Sequence, residues 1–255
     1  MYCGKKVVVV MPAYNAAKTI ERAFAEVCGQ NLADIIVVVD DCSRDETVDL
    51  ARKLSFPGVE VVVHRHDKNL GYGGNQKSCY RIALEKCSGA EGIVVMVHPD
   101  CQYTPKLLPA MVSMISAGLH DCVLASRILG GHALKGGMPM WKYVANRVLT
   151  FLMNFLMGAK LSEYHTGYRA FSTKLLKELP LDRNIDDFAF DAQMLAEIIW
   201  KGTTIGEVSC PTVYFDEASS INFLRSCKYG FGCLGVSALF RLCRMRLVKS
   251  GKFPR

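Results

Sequence analysis

The sequence has no Cys-x-x-Cys pair, although it contains 11 cysteines among 255 residues. An odd number of cysteines without a framework of short spacings is not typical of a disulfide-stapled secreted protein. Several of them, Cys28 and Cys122 for example, lie inside apolar runs. This pattern predicts buried free thiols in a reducing cytosol.

Targeting and membrane-spanning signals are also missing. Lys5 and Lys6 lead directly into an apolar strand pattern, and no cleavage region follows, so we expect no signal peptide. No run of about 18 or more purely apolar residues occurs, so we expect no spanning helix. There is no Lys/Arg-rich arm of the kind that binds nucleic acid, and we expect no such partner.

The overall composition suits a folded protein with an anionic partner. Half of the residues are hydrophobic and 22% are charged. The length allows one large α/β domain or two small ones. The formal net charge of +7 favours a nucleotide, a lipid phosphate or a membrane surface as the partner.

The first half of the chain alternates between strand and helix patterns. The runs KVVVVMP, DIIVVVDD, VEVVVHR and GIVVMVHP, with DCVLASR as a weaker fifth, are continuously apolar, which is typical of parallel strands buried on both faces. Helical patterns cover residues 17–28, 45–54, 75–87 and 106–117, and Ser43 and Glu46 have capping-box spacing. We therefore predict an α/β fold with a doubly wound, mostly parallel sheet. Ligands bind such sheets outside the carboxyl ends of the strands.

The second half is richer in apolar helices. We predict helices over 141–157 and 190–200, an alternating strand in TIGEVSCPTVY, and a final helix that carries many arginines and lysines. The helix over 141–157 and the basic final helix have two interpretations. They are packed helices with snorkelling arginines, or they dock on an anionic membrane surface. They are also compatible with a homo-oligomer.

Polar residues follow each of the first three strands. Pro12 and Tyr14 form either a simple turn or part of a ligand pocket. Asp40 and Asp41 are adjacent carboxylates, and helix capping by Ser43 would not explain both. The sequence GYGGN resembles a phosphate-cradling turn. Its spacing is neither GxGxxG nor a Walker loop, so a glycine-rich helix start is the plainer interpretation.

The fourth strand ends in HPDCQY. His98, Asp100 and Gln102 would share one face if the chain stayed extended. They form either an ordinary polar loop or a metal site. Asp and Gln oxygens suit Mg²⁺ or Mn²⁺ bound partly through diphosphate oxygens, and the histidine would shift the preference towards Mn²⁺ or another transition ion.

These motifs, in this order, resemble family-2 glycosyltransferases with the GT-A fold, and among them the dolichol-phosphate mannose synthase and polyprenyl-phosphate sugar transferase branch. The matching stretches span roughly residues 5 to 220: MPAYNAAKTI, VVVDDCSRDET, NLGYGGNQK, HPDCQY, ASRILGG, YHTGYRAFS and EVSCPTVY. The resemblance implies a catalytic domain over 1–220 and a C-terminal amphipathic helical extension over 221–255. His98 departs from the family pattern, because it replaces the first acid of an Asp-x-Asp-x-Gln metal motif. Ala16 or Ala17 stands where relatives often have Glu.

The resemblance also implies roles for individual residues. The catalytic residues would be Asp100, Arg127, Arg169 and Asp191. The nucleotide-sugar site would comprise Pro12, Ala13, Tyr14, Asn15, Asp40, Asp41, Gly71, Gly74, Asn75, Lys77, Pro99 and Asp100. The acceptor phosphate would meet Arg127, Lys142, Asn146 and Arg147. A Mg²⁺ or Mn²⁺ ion would be held by Asp100, Gln102 and His98.

The implied reaction is the inverting transfer of one sugar from a UDP- or GDP-sugar to a polyprenyl or dolichyl phosphate, by an enzyme at the cytoplasmic face of a membrane. A lipid phosphate is already an anion and needs no general base. The alternative acceptor is a sugar hydroxyl of a glycan or glycolipid, which requires a base such as Asp187 or Asp191. Two other classes stay open: a Rossmann dehydrogenase, suggested by GYGGN although it follows the third strand, and a nucleotide-binding protein without catalysis, suggested by His98.

Overall fold

The structure is a computed structural model that describes residues 1–214 and 223–254. These residues form seven strands, eight α-helices and two short 3₁₀ turns. The strands are β1 Lys6–Ala13, β2 Ile35–Asp40, β3 Glu60–Arg65, β4 Gly92–Met96, β5 Cys122–Ser126, β6 Arg169–Ser172 and β7 Ile205–Ser209. The helices are α1 Ile20–Cys28, α2 Thr47–Ala51, α3 Gly71–Lys86, α4 Leu108–Ser116, α5 Met140–Met157, α6 Thr173–Glu178, α7 Phe190–Trp200 and α8 Phe223–Arg244, and the 3₁₀ turns are Pro105–Leu107 and Leu181–Arg183.

All seven strands form one sheet in the order β3-β2-β1-β4-β6-β5-β7. β6 is antiparallel to both β4 and β5, and the other neighbouring strands are parallel. The predicted α/β fold with a mostly parallel sheet is therefore confirmed. β6 was not predicted, because it lies in the polar stretch SEYHTGYRAFS and is only four residues long.

The continuous apolar strands are buried on both faces, as their sequence predicts. Val8 and Val10 of β1 belong to a core cluster that α3 and α7 cover. Val7, Val9 and Met11 of the same strand face the opposite cluster, which α1 and α4 cover. Alternate side chains of one strand thus enter two different cores. Both faces of the sheet are therefore packed, and the loops at its carboxyl edge start from fixed strand ends.

Three predicted helix starts are wrong. α1 begins at Ile20 rather than at residue 17. The capping box at α2 does not form, because the helix begins only at Thr47 and the Ser43 hydroxyl accepts a hydrogen bond from the backbone N–H of Asn15 instead. α3 begins at Gly71, a full turn before the predicted start at Asn75, so the glycines of GYGGN lie inside its first turn.

The predicted domain boundary between residues 220 and 221 lies outside the described residues. α8 packs against α5 and α7, and its Cys233 and Phe240 belong to the same buried cluster as α3 and α7. Within residues 1–214 and 223–254, no helix is long and apolar enough to cross a membrane.

Candidate active site

A cavity of about 1200 Å³ opens at the carboxyl edge of β1, β2 and β4 and extends between α5 and α8. The two ends of the cavity are lined by residues from earlier and later parts of the chain. The loops that follow β1, β2 and β4, all before residue 104, line one end. Arg127, α5, the loop before β6 and α8 line the other.

The loop after β1 is fastened to the loop after β2. Asn15 has a left-handed φ of 50°, its N–H donates to Ser43 Oγ at 2.9 Å, and its Oδ1 accepts from the N–H of Arg44 at 2.9 Å. The N–H of Ala16 donates to Thr47 Oγ1 at 2.7 Å. These bonds satisfy backbone groups that a loop would otherwise leave to solvent, and they fix the cavity wall formed by Pro12, Ala13, Tyr14 and Asn15.

The adjacent acids Asp40 and Asp41 have different surroundings. Asp40 is fully buried, accepts from the N–H of Ser43 at 3.1 Å, and lies 3.6 Å from Arg65. It does not line the cavity. The contacts of Asp40 therefore hold the loop after β2 and the end of β3 together.

Asp41 does line the cavity, and its carboxylate is held from behind. The backbone N–H groups of Leu70 and Gly71 donate to Oδ1 at 2.8 Å and Oδ2 at 3.0 Å. His66 Nδ1 lies 2.8 Å from Oδ1, and His66 Nε2 lies 2.9 Å from Ser78 Oγ. Asp41 is 3% exposed, so these hydrogen bonds fix the orientation of its carboxylate at the cavity wall.

The glycines of GYGGN make room for the loop before α7. A Cβ on Gly73 would lie 2.5 Å from the Ile185 oxygen and 2.8 Å from Phe190 Cβ. A Cβ on Gly71, whose φ is +81°, would lie 2.9 Å from the Asp186 oxygen. Close packing therefore explains these glycines without a bound phosphate.

Four predicted donor residues on α3 are distributed between the cavity and this packing. Gly71 and Asn75 line the cavity, and the Asn75 amide donates to the Val39 carbonyl at 3.1 Å. Gly74 and Lys77 do not line it. Lys77 instead donates to the Asp186 carboxylate at 2.7 Å and to the Asn184 carbonyl.

The HPDCQY segment is not extended, so the expectation of one shared strand face is wrong. β4 ends at Met96, and the chain then turns, with φ of 55° at Cys101. Asp100 Oδ1 accepts from the N–H of Gln102 at 3.1 Å, which closes this turn. The turn nevertheless brings His98, Pro99, Asp100 and Gln102 into the cavity wall.

Asp100 and Gln102 offer oxygen ligands to a hard divalent ion whose remaining ligands come from the substrate and water. Among residues 1–214 and 223–254 there is no group of three or more His, Cys, Asp or Glu side chains placed to hold a metal. Asp100 is the one carboxylate in the HPDCQY segment. An octahedral ion that keeps waters and takes diphosphate oxygens needs no more than one or two protein carboxylates.

His98 lies against Tyr72 rather than pointing freely into solvent. The two rings stack with centroids 5.7 Å apart, and Gly167 is close enough that a Cβ there would lie 2.7 Å from the imidazole. Burial lowers the pKa of His98, so its ring is neutral at neutral pH and keeps a nitrogen lone pair.

Arg169 and Asp191 form a buried pair. The guanidinium lies 3.4 Å from the Asp191 carboxylate and donates to the carbonyls of Thr166 and Tyr164. Arg169, which the resemblance makes a catalytic residue, is 1% exposed and does not line the cavity. Asp191 does line the cavity and accepts from the Tyr72 hydroxyl at 2.8 Å.

The part of the cavity around Arg127, α5 and the loop before β6 is organised by a buried acid that the sequence analysis missed, and we refer to this part as the acceptor end after the role predicted for Arg127. Glu163 is fully buried and accepts from the Arg127 N–H and Nε, both at 2.8 Å, from Arg127 Nη2, and from the Asn146 amide at 2.8 Å. Although burial alone would raise it, the Arg127 guanidinium holds the pKa of Glu163 below its usual value. Arg127, Lys142 and Asn146 line the cavity, whereas Arg147 donates to the Ser162 carbonyl and does not.

Other cavity residues carried no recognisable sequence signal. Tyr72 lies in GYGGN, Tyr214 in a predicted strand and Tyr229 in the final predicted helix. None of them was assigned a role, because their approach to the cavity depends on how distant elements pack. Glu163 and His165 lie in SEYHTGYRAFS, where one acid and one histidine in a polar stretch were the only available hint.

Comparison with known proteins finds similar glycosyltransferases. The chain is 26% identical over 259 residues to the UDP-N-acetylglucosamine–dolichyl-phosphate N-acetylglucosaminyltransferase of Methanococcus voltae, covering 96% of this chain and 98% of that protein. It is 29% identical over 212 residues to the dolichyl-phosphate hexose transferase of Haloferax volcanii, covering 82% and 84%.

The fold is also found in a solved structure, that of glucosyl-3-phosphoglycerate synthase from Mycobacterium tuberculosis in complex with Mn²⁺, UDP and phosphoglyceric acid. The TM-score is 0.68 at 20% identity, and the match covers 97% of this chain and 81% of that one. The model of glycosyl transferase family 2 matches residues 8–180. The chain therefore belongs to glycosyl transferase family 2, and it is a glycosyltransferase.

Proposed function

We propose that the protein transfers one sugar from a nucleotide diphosphate sugar to a polyprenyl or dolichyl phosphate at a membrane surface. The names of two similar enzymes support a dolichyl-phosphate acceptor. The observation that carries the proposal is the cavity itself, in which cationic side chains lie beside an apolar groove and three of the five lining carboxylates among the described residues, Asp186, Asp187 and Asp191, are engaged by neighbouring side chains.

The engaged carboxylates argue against a hydroxyl acceptor. Asp187 accepts from Lys228 at 2.7 Å, Asp186 from Lys77 at 2.7 Å, and Asp191 from Tyr72 while it faces Arg169. A hydroxyl acceptor would need a carboxylate free to take its proton. In the part of the chain that the structure describes, the remaining acids of the cavity wall are Asp41 and Asp100. We assign these two to the donor, so an acceptor that is already anionic fits better.

The acceptor end combines positive charge with an apolar groove. Burial and the neighbouring Arg127 charge lower the pKa of Lys142, and an anion bound beside the ammonium group would stabilise its charged form. Leu149 and Leu152 of α5 and Leu234 of α8 line the continuation of the cavity. A phosphate monoester with a hydrocarbon tail would match both parts: the headgroup at the cations and the first isoprene units in the groove.

At the donor end, we propose that Asp100, Gln102 and His98 hold Mg²⁺ or Mn²⁺ together with diphosphate oxygens. The ion, when bound, would offset the negative charge that develops on the leaving diphosphate. Asp41 would accept a hydrogen bond from the nucleoside, and Tyr14 and Pro12 would flank it. Arg127 would contribute positive charge where donor and acceptor meet.

The exposed face of α5 supports contact with a membrane surface. Val144, Val148, Phe151 and Phe155 recur at intervals of four, three and four residues and are all exposed, Phe151 by 69%. This spacing forms one stripe along the helix. Arg241 of α8 lies over the Phe155 ring, so positive charge borders the stripe as in helices that lie on anionic bilayers.

The central test uses radiolabelled UDP- and GDP-sugars with and without polyprenyl phosphate. We expect label in the organic phase only when the lipid phosphate is present. Asp100→Ala should abolish that transfer, whereas Asp182→Ala, at an exposed position outside the cavity, should leave it unchanged. Label that stays water-soluble, or moves to a hydroxyl acceptor, would refute the proposed acceptor.

Membrane contact is tested separately by vesicle flotation. With anionic vesicles we expect Phe151→Asp to lower the bound fraction several-fold. Leu119→Asp, an equally exposed position (65%) just before β5 at the opposite edge of the sheet, is the matched control. Equal flotation of the two variants would rule out the α5 stripe as the contact.

A further inference from the structure

His165 stands at the acceptor end of the cavity with one ring nitrogen unused. Its backbone carbonyl accepts from Arg127 Nη2 at 2.8 Å, which fixes the loop beside that cation. Its side chain reaches towards α8, where Nδ1 lies 2.7 Å from the Tyr229 hydroxyl oxygen. The other ring nitrogen, Nε2, is buried and has no hydrogen-bond partner among the described residues.

The contact with Tyr229 favours one position for the imidazole proton. Burial raises the pKa of Tyr229 well above its usual value, so the phenol keeps its proton and can donate it to Nδ1. The Cys233 thiol is also within hydrogen-bonding reach of the phenol, but sulfur is the weaker acceptor. A neutral imidazole has one donor and one acceptor nitrogen, and with Nδ1 accepting, the N–H is on Nε2.

His165 stays neutral beside the cations of the acceptor end. Burial lowers its pKa to about 4. A third positive charge next to Arg127 would be repelled, whereas a neutral N–H adds a directed donor without adding charge. Counted over the described residues, the Arg127 guanidinium has one N–H donor left for a ligand. Its other four donate to Glu163 twice, to Tyr214 and to the His165 carbonyl.

We propose that the Nε2–H of His165 donates a hydrogen bond to a phosphate oxygen of the acceptor. This inference rests on the proposed function, since it takes the acceptor to be a phosphate. Tyr229 is then a positioning residue that selects the tautomer. The residues assigned to the donor come before residue 104 in the chain, and His165 contacts Arg127, so we expect the contact to serve the acceptor rather than the nucleotide.

The first experiment uses the full chain and inorganic phosphate as the probe, with nitrogen NMR of the histidine side chains. We expect His165 to show the Nε2–H tautomer and its Nε2 signal to move on phosphate addition. The exposed His64 should not respond. Tyr229→Phe should redistribute the tautomers. A His165 signal of the Nδ1–H form, or one that ignores phosphate, would overturn the inference.

The second experiment compares two amide variants that differ in where they place the N–H. His165→Gln places an amide near the position of Nε2, and His165→Asn near that of Nδ1. We expect His165→Asn to weaken binding of a short-chain prenyl phosphate by roughly ten- to a hundredfold. His165→Gln should stay within a few-fold of the parent, His64→Asn should match the parent, and nucleotide-sugar binding should be unchanged in all. Equal losses in both His165 variants, or weakened nucleotide binding instead, would contradict the assignment.

The two proposals fail in distinguishable ways. If NMR detects phosphate at His165 but no prenyl phosphate is glycosylated, the lipid acceptor is wrong and the phosphate contact stands. If prenyl phosphate is glycosylated but His165→Asn binds and turns it over like the parent, the contact is wrong and the proposed function stands.

Discussion

The buried pair of Glu163 and Arg127 should dominate the stability of the acceptor end. Glu163→Gln keeps the shape of the side chain and removes its charge, which leaves the Arg127 guanidinium buried without its counter-ion. Glu163 accepts from the Arg127 side chain and Asn146 at Oε1 and from the Arg127 N–H at Oε2. Whichever way the glutamine amide is turned, its NH₂ group therefore faces a donor.

Removing one partner of a buried ion pair costs about 3–5 kcal/mol. With a urea m-value of roughly 3 kcal/mol/M for a chain of this size, the unfolding midpoint should fall by roughly 1–1.7 M. The assay is urea unfolding followed by far-UV circular dichroism and tryptophan fluorescence. Coincident transitions from the two probes would justify the two-state treatment.

Glu91→Gln is the matched control, because Glu91 is 75% exposed and accepts from Lys5 at 2.7 Å. We expect it to cost less than about 1 kcal/mol. The double variant Arg127→Met with Glu163→Met should recover much of the stability, since it leaves no buried charge unpaired. A Glu163→Gln midpoint no lower than that of Glu91→Gln would refute the reasoning.

Three further predictions concern other parts of the molecule. Burial raises the pKa of Glu197 to about 7 from an ordinary value of 4.5, so the folded state holds this proton more tightly than the unfolded state does. The stability that the protonated carboxyl contributes is fully present below pH 4.5. It is lost, by up to about 3 kcal/mol, as the pH rises through 7. Glu197→Gln should flatten this dependence in thermal unfolding at pH 5 and pH 8, and an unchanged slope would contradict it. Gly73→Ala should destabilise the fold by about 1–3 kcal/mol in urea unfolding, because its Cβ would collide with the Ile185 carbonyl. A change below about 0.5 kcal/mol, which is the usual scatter of surface substitutions, would argue against the close packing. His98→Asp should shift the metal preference from Mn²⁺ towards Mg²⁺, measured as competition of Mg²⁺ against bound Mn²⁺ by electron paramagnetic resonance in the presence of nucleotide diphosphate, and identical competition in parent and variant would exclude His98 as a ligand.

The sheet was predictable because its strands carry a signal that does not depend on the rest of the chain. The β-branched runs of β1, β2 and β4 are buried on both faces, and continuous apolar sequence is the direct record of that burial. β6 has no such record. Its four residues are buried because β4 and β5 flank them, and a strand that depends on its neighbours has no periodicity of its own.

The placement of charged residues was harder to predict. Sequence identified Arg169 as a cation near the site, but its partner Asp191 comes 22 residues later and meets it only through the packing of α7. An arginine facing phosphate and an arginine facing a buried carboxylate look the same in a sequence. Asp40 and Asp41 differ likewise only in the direction that each side chain takes from the strand end.

The glycines of α3 illustrate a third kind of limit. Glycine usually interrupts a helix, so the sequence favoured a start after Gly74. The helix begins at Gly71 because the loop before α7 lies against its first turn, where a side chain would not fit. That requirement comes from a segment more than a hundred residues away, which no local pattern can report.

The division of the cavity by chain order has an evolutionary consequence. The residues that we assign to the donor lie no later than Gln102, and those that we assign to the acceptor phosphate begin at Arg127. Acceptor choice can therefore diverge through substitutions in one contiguous C-terminal segment, provided that the contacts of Ile185 and Asp186 with α3 and of Gly167 with His98 are kept. Chimeras joined in the segment between these two residues would be a direct way to combine one donor with another acceptor.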